Sequence, residues 1–158
     1  MAFKVRLVAV SNRQPEWVRS GFDEYAKRLR GGIRLELREI GLAKRSRAGS
    51  AAQAKAQEGQ RVLAALPQAA HVVSLNEQGK QWTTAELATK LEGWSALGTP
   101  ICLLIGGPDG LAKDCLERAN EHWALSRLTL PHGLARIIVA EAIYRGWSLV
   151  QGHPYHRA

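Results

Sequence analysis

The chain has 158 residues, 46% apolar and 23% charged, the composition of a soluble globular protein, and at that length it can bury about 70% of its unfolded surface without a disulfide or metal staple. Its longest aliphatic run is Ile101–Ile105, far short of the roughly 20 residues of a membrane helix. The opening Met-Ala-Phe-Lys-Val-Arg has no apolar signal core, and two cysteines, Cys102 and Cys115, fit a reducing cytosol, so membrane and secreted classes are set aside.

Phe3–Val10 reads as a strand, with Val5, Leu7 and Ala9 on one face and Val8 and Val10 on the other. Val18, Phe22, Tyr25 and Leu29 then fall four, three and four apart, one stripe of a helix stopped by Gly31-Gly32. Ile33–Ile40 alternates apolar and charged residues like a strand with one wet face, and an Ala-rich helix runs from about Ser50 to Leu66 before Pro67. His71–Leu75 is a short strand. Thr83 and Glu86 form a candidate capping box for a helix carrying Leu87, Leu91 and Trp94, closed by Gly98 and Pro100. Ile101–Ile105 has no alternation, as in a parallel strand covered on both faces. A helix from about Leu111 to Glu121, a strand near Trp123–Leu128 and a helix from about Leu134 to Val150 complete the chain.

Five β-α units predict an α/β fold with a mainly parallel sheet and helices on both faces. With no internal repeat or low-complexity linker, the chain reads as a single domain, 1–158. The last helix places Ile137, Ile138, Val139, Ile143, Tyr144, Trp147 and Leu149 around its whole circumference. A helix apolar on every side is buried on every side, which predicts a second subunit and hence a homodimer. The alternative is a helix wedged under its own chain.

The net charge of +8 is one-sided: residues 1–61 hold 14 basic and 6 acidic side chains, and residues 62–158 hold eight of each. Its densest part leads into the loop Gly41–Ser50, which carries Lys44, Arg45 and Arg47. Such a surplus is the footprint of a protein that docks on phosphates, here nucleic acid; the plainer alternative is a solvated surface that keeps the protein soluble.

Three segments hold the candidate chemistry. Ile105-Gly-Gly-Pro-Asp-Gly110 follows the buried strand, where open α/β sheets bind ligands, and adjacent glycines let backbone approach a ligand closely. It is neither a Walker loop nor a dinucleotide fingerprint, and a plain tight turn competes with the binding reading. In Leu125-Ser-Arg-Leu-Thr-Leu-Pro-His132, hydroxyls alternate with leucines, which suits an adenine and ribose better than a polyphosphate; an edge strand running into a turn is the alternative. The ending, Gly152-His-Pro-Tyr-His-Arg157, crowds two histidines, a tyrosine and an arginine together. An ordered tail that meets a nucleobase and phosphates is favoured over a frayed terminus. A metal site of His132, His153 and His156 finds no Cys, Asp or Glu at zinc-like spacing, so no metal is expected.

Together these segments resemble the ribosomal large-subunit RNA methyltransferases of the RlmH type, the pseudouridine-N3 methyltransferases of the SPOUT class. The resemblance rests on Leu103–Leu111, Leu125–His132, Ala140-Glu-Ala-Ile-Tyr-Arg145 and Gly152–Arg157, with Lys4–Val10 and the Trp17, Gly21-Phe22 and Tyr25 pattern also fitting, and it covers nearly the whole chain. It implies a carboxyl-terminal trefoil knot, a homodimer, and S-adenosylmethionine held by Leu75, Gly106, Leu125, Ser126, Arg127, Leu128, Thr129 and Leu130. Asn76, Gly133 and Gly146 depart from the usual pattern, which shows an acid and larger residues there.

A sulfonium methyl is already activated, so the enzyme's tasks are to align it and to remove the imide proton of the base. Candidate proton acceptors are His132, His153 and His156. Tyr155 could stack on the uracil, and Arg136, Arg145 and Arg157 could hold flanking phosphates; Arg145 could instead pair with Glu141 one turn earlier. The chain carries no separate RNA-binding domain, so an assembled ribosome is the expected substrate. A non-catalytic ribosome-binding or assembly factor would explain the basic half equally well. A metal-dependent nuclease lacks clustered carboxylates for magnesium.

Overall fold

The computed structural model describes residues 3–45 and 49–156. Five strands, β1 (Phe3–Val10), β2 (Ile33–Ile40), β3 (His71–Lys80), β4 (Ile101–Ile105) and β5 (Glu121–Trp123), alternate with α1 (Glu16–Ala26), α2 (Ala51–Ala65), α3 (Thr84–Leu97), α4 (Lys113–Arg118) and α5 (His132–Val150). A single 3-10 turn, Pro154–His156, follows. The sheet order is β2-β1-β4-β3-β5 and every pairing is parallel, so the α/β expectation holds.

Alternating side chains divide the core in two. Val5, Leu7 and Ala9 of β1 join Leu103 of β4, Phe22 of α1, Leu91 of α3 and Ile143 of α5 on one face. Val8 and Val10 join Cys102 and Leu104, Val62 of α2 and Cys115 of α4 on the other. Helices α1 and α3 accompany moves in one direction across the sheet, and α2 and α4 moves in the other. Face and direction reverse together, so all four crossovers share one hand, as the right-handed rule requires. Chain leaving β1 turns toward β2 while chain leaving adjacent β4 turns toward β5, which opens a crevice at the carboxyl ends of these strands.

Local chemistry sets several boundaries. Ser50 and Gln53 form a full capping box at α2, and the Thr83 hydroxyl accepts from Glu86 N–H to start α3. Gly98, at φ 69°, ends α3. Helix α4 stops at Arg118, short of Glu121, because Asn120 pairs with β3 instead: its N–H donates to the Val72 carbonyl and its side-chain oxygen accepts from Val72 N–H. β5 is Glu121–Trp123, not Trp123–Leu128, since the chain leaves the sheet edge at Ala124, whose N–H donates to the Lys80 carbonyl. β3 runs past Leu75 to Lys80, with a register break between those residues that pushes 76–79 out of the ladder. Helix α1 ends at Ala26, although Leu29 stays buried beneath the following turn.

The last helix is mostly covered by its own chain. Val139, Ala140 and Ile143 are fully buried. Gly133 and Gly146 explain how α5 fits: a Cβ on Gly133 would come 2.8 Å from Val18 Cγ2 of α1, and one on Gly146 would come 3.0 Å from Leu91 Cδ1 of α3. What stays open is narrow, with Leu134 (42% exposed) and Ile138 (39%) on α5 and Trp17 (57%) on α1. Circumferential burial of α5 is thus largely a property of the single chain, and the apolar remainder is a strip. Among the described residues no helix is long and apolar enough to cross a membrane.

Candidate active site

A cleft of about 700 Å³ occupies the crevice at the strand ends. Its walls are the end of β1 with Ser11, Asn12 and Gln14, the bulged part of β3 from Leu75 to Gln78, the turn after β4, and the crossing segment before α5. Of the residues expected around a cofactor, Leu75, Gly106, Leu125, Ser126, Leu128, Thr129 and Leu130 line it. Arg127 does not; its Nε donates to Gln81 Oε1 at 3.3 Å, on the outer side of the segment.

The turn Gly106–Gly110 folds back on itself. Gly110 N–H donates to the Gly107 carbonyl at 3.0 Å, and Gly110 has φ 83°. A Cβ on Gly106 would overlap the Gly110 carbonyl carbon, so this position admits only glycine without a shift of backbone. Opposite it, the segment 125–130 crosses the strand ends instead of pairing. Ser126 Oγ accepts from Leu128 N–H at 2.9 Å, a local turn that throws Leu128 out, 73% exposed, at the cleft mouth. The walls are thus apolar surfaces with hydroxyl and amide groups between them, and Lys55 and Glu77 are the charged side chains among the lining residues.

Comparison with known proteins gives this chain its family. The family described as predicted SPOUT methyltransferase matches residues 3–156. A curated protein of Alkalilimnicola ehrlichii, named ribosomal RNA large subunit methyltransferase H, is 51% identical over 155 residues, 98% of this chain and 99% of that protein. A probable methylase family protein of Haemophilus influenzae Rd KW20 shares the fold, with a TM-score of 0.56 at 11% identity over 98% of this chain and 70% of that one. The chain belongs to the SPOUT methyltransferase family.

In this SPOUT methyltransferase, Arg136 does not have the role expected of it, and His132 is hydrogen-bonded within the chain. Arg136 is fully buried, so it is not available to RNA phosphates. Its Nη2 donates to Ser11 Oγ and to His132 Nε2, both at 2.9 Å, and its Nη1 lies 3.5 Å from Glu39 Oε2. Arginine has no acceptor, so His132 Nε2 must be the acceptor and Nδ1 must carry the proton, which it donates to the Gly106 carbonyl at 3.3 Å. Burial, and then the neighbouring guanidinium, hold the imidazole pKa below its ordinary value. Both nitrogens of His132 are therefore engaged within the chain, and the side chain ties α5 to the glycine turn. Burial likewise lowers the Arg136 pKa, with Glu39 opposing.

The tail folds on the other end of α5. Tyr155 Oη donates to Glu141 Oε2 at 3.0 Å, its ring centroid lies 4.4 Å from that of Tyr144, and the Arg145 guanidinium lies 4.8 Å from its ring. Arg145 also pairs with Glu141 at 3.2 Å. Tyr155 N–H donates to His153 Nδ1. Burial, then the Glu141 carboxylate, raises the Tyr155 pKa. Nineteen helical residues span about 28 Å, so one chain does not bring His153 and Tyr155 to the cleft beside His132. The side chain of His156 and the whole of Arg47 and Arg157 lie outside the described residues. Lys44 is exposed, whereas Arg45 is held by Glu58 and Asp109. Among the described residues no three His, Cys, Asp or Glu side chains are grouped to hold a metal.

Sequence reasoning missed Ser11, Asn12, Gln14, Lys55 and the 76–78 bulge. The polar run Ser11-Asn-Arg-Gln14 after an apolar strand was the available signal.

Proposed function

We propose that this single-domain enzyme transfers a methyl group from S-adenosylmethionine to N3 of a pseudouridine in large-subunit ribosomal RNA, on the assembled ribosome and in the cytoplasm. The observation that carries the reading is the convergence of the β3 bulge, the glycine turn and the 125–130 segment on one cleft. The name of the Alkalilimnicola relative supports the RNA class, as does the basic surplus of residues 1–61.

The residues fit the cofactor. Leu75, Leu125, Leu128 and Leu130 offer flat apolar contact for an adenine. Ser126, Thr129, Asn76 and Gln78 offer hydrogen bonds for ribose hydroxyls, and Lys55 and Glu77 suit a ligand carrying both a carboxylate and an ammonium. When bound, S-adenosylmethionine supplies an activated methyl, so no covalent nucleophile is needed. Gly106 lets the turn approach, and His132 with Arg136 holds the turn against α5. The chain's task is then orientation and exclusion of water, while a separate group takes the imide proton.

Since cleft and tail lie at opposite ends of α5, the tail candidates His153, His156 and Tyr155 act in a homodimer, each tail serving the other chain's cleft. A second copy seated on Trp17, Leu134 and Ile138 would cover the open strip. Lys44, Arg47 and Arg157 remain candidate phosphate contacts, and Arg145 joins them if RNA displaces Glu141. The test is incubation of purified protein and radiolabelled S-adenosylmethionine with ribosomes from a strain lacking this gene. Label at a large-subunit pseudouridine is expected; unlabelled RNA overturns the proposal.

A further inference from the structure

Arg45 belongs to the loop read from sequence as a phosphate contact, yet all three of its guanidinium nitrogens are engaged within the chain. Nε and Nη2 both donate to Asp109 Oδ2, at 3.1 and 2.8 Å. Nη1 donates to Glu58 Oε2 at 2.7 Å and to the Ala43 carbonyl at 3.0 Å, while Nη2 reaches Glu58 Oε1 at 3.3 Å. Glu58 is 2% exposed and also accepts from Ala43 N–H at 3.1 Å. A carboxylate buried to that extent needs a paired cation, and Arg45 supplies it from the surface, its side chain 29% exposed. The Glu58 carboxylate in turn packs under the turn: a Cβ on Gly107 would come 3.2 Å from its Oε1.

Asp109 sits between Pro108 and Gly110 in the turn that walls the cleft. The basic β2–α2 connection, α2 and the glycine turn, the last 64 residues away in sequence, therefore meet on one planar cation. A planar fork holds the two carboxylates and the Ala43 carbonyl at once in a fixed geometry, through five contacts that a three-donor ammonium does not match.

We propose that Arg45 is a positioning residue of the cofactor cleft, which sets the shape of the glycine turn by bridging Asp109 to buried Glu58, and that it is not an RNA phosphate contact. The inference rests on the cleft being the S-adenosylmethionine site. Gly106, Gly107, Pro108, Gly110 and Leu111 of the turn line the cleft, so releasing Asp109 frees the tip of the turn from the Arg45 fork, while the sheet and the helices stay packed. The consequence is selective for cofactor affinity.

The test is isothermal titration of full-length protein with S-adenosylmethionine, for the wild type and for Arg45→Ala, Arg45→Lys, Asp109→Ala and the Arg45→Ala/Asp109→Ala double variant. Thermal melts without ligand and ribosome binding by filter assay accompany it. Each single alanine variant should raise Kd about tenfold, with kcat at saturating cofactor kept. The double variant should be no more than about threefold weaker than the weaker single, because both remove one unit. Arg45→Lys should fail to rescue, and Asp109→Ala should bind ribosomes like wild type. Additive losses would overturn the proposal, as would rescue by lysine. It also fails if Arg45→Ala keeps its cofactor Kd within about twofold while losing ribosome affinity and salt dependence, since the guanidinium would then be a phosphate contact. Wild-type protein that gives no heat with S-adenosylmethionine sinks the assignment of the cleft itself, a result distinct from any difference among variants.

Discussion

The two ends of α5 carry the same kinds of side chain and use them differently. At the amino end, His132 and Arg136 are locked to Gly106, Ser11 and Glu39, with the guanidinium fully buried. At the carboxyl end, Glu141, Arg145 and Tyr155 form an ion pair and ring contacts that are only part-buried. Desolvation makes the difference. Buried polar groups must be satisfied in place, which makes them framework, whereas part-exposed ones can exchange partners at little cost. The first end walls the cleft, and the second packs the tail against α5.

The sharpest break of this contrast is Arg136→Ala, which removes a large buried group and leaves His132 Nε2 without its donor. Denaturant unfolding should show a loss of about 3 kcal/mol, against less than about 1 kcal/mol for Arg145→Ala; equal losses would erase the distinction. Next comes Gly106→Ala, whose Cβ meets the Gly110 carbonyl carbon. Cofactor affinity should fall at least about tenfold, while Gly152→Ala at the other end should leave it unchanged.

A pH series sharpens the comparison further. His132 has a lowered pKa in the folded chain, so on acidification the unfolded chain takes up this proton first. Stability that is full above about pH 6.5 is then lost as pH falls. The wild-type midpoint should drop between about pH 7.5 and about pH 5.5, and His132→Asn should flatten that drop. His132→Ala should also raise KM for cofactor without changing the shape of the rate–pH profile, because both ring nitrogens are engaged with Gly106 and Arg136. The smallest effect is Tyr155→Phe, which removes the Glu141 hydrogen bond and should cost no more than about 1 kcal/mol.

Elements with strong periodicity were legible. The alternation in β1 assigns Val5, Leu7 and Ala9 to one core and Val8 and Val10 to the other, as found. Ile101–Ile105 is the doubly covered strand its composition demands. Less legible were stretches where a distant partner decides the outcome. Asn120 ends α4 by pairing with Val72, and Leu125–Leu130 leaves the sheet because β5 is an edge. Much of the cleft lining was readable, since Leu75, Gly106 and five residues of 125–130 sit there. Ser11 and Lys55 were not, because nothing local to β1 or α2 reports that the crevice opens beside them.

Short-range order alone determined the α/β class, the alternating elements, the glycine turn and the basic surplus, because periodicity, turn chemistry and charge are properties of neighbouring residues. Tertiary structure alone decided that Arg136 is buried, that His132 donates through Nδ1 and that Arg45 bridges Glu58 to Asp109. Each of these depends on which groups 13 to 125 positions away end up within 3.5 Å, and the cost of leaving a buried charge or donor unmatched then dictates its role.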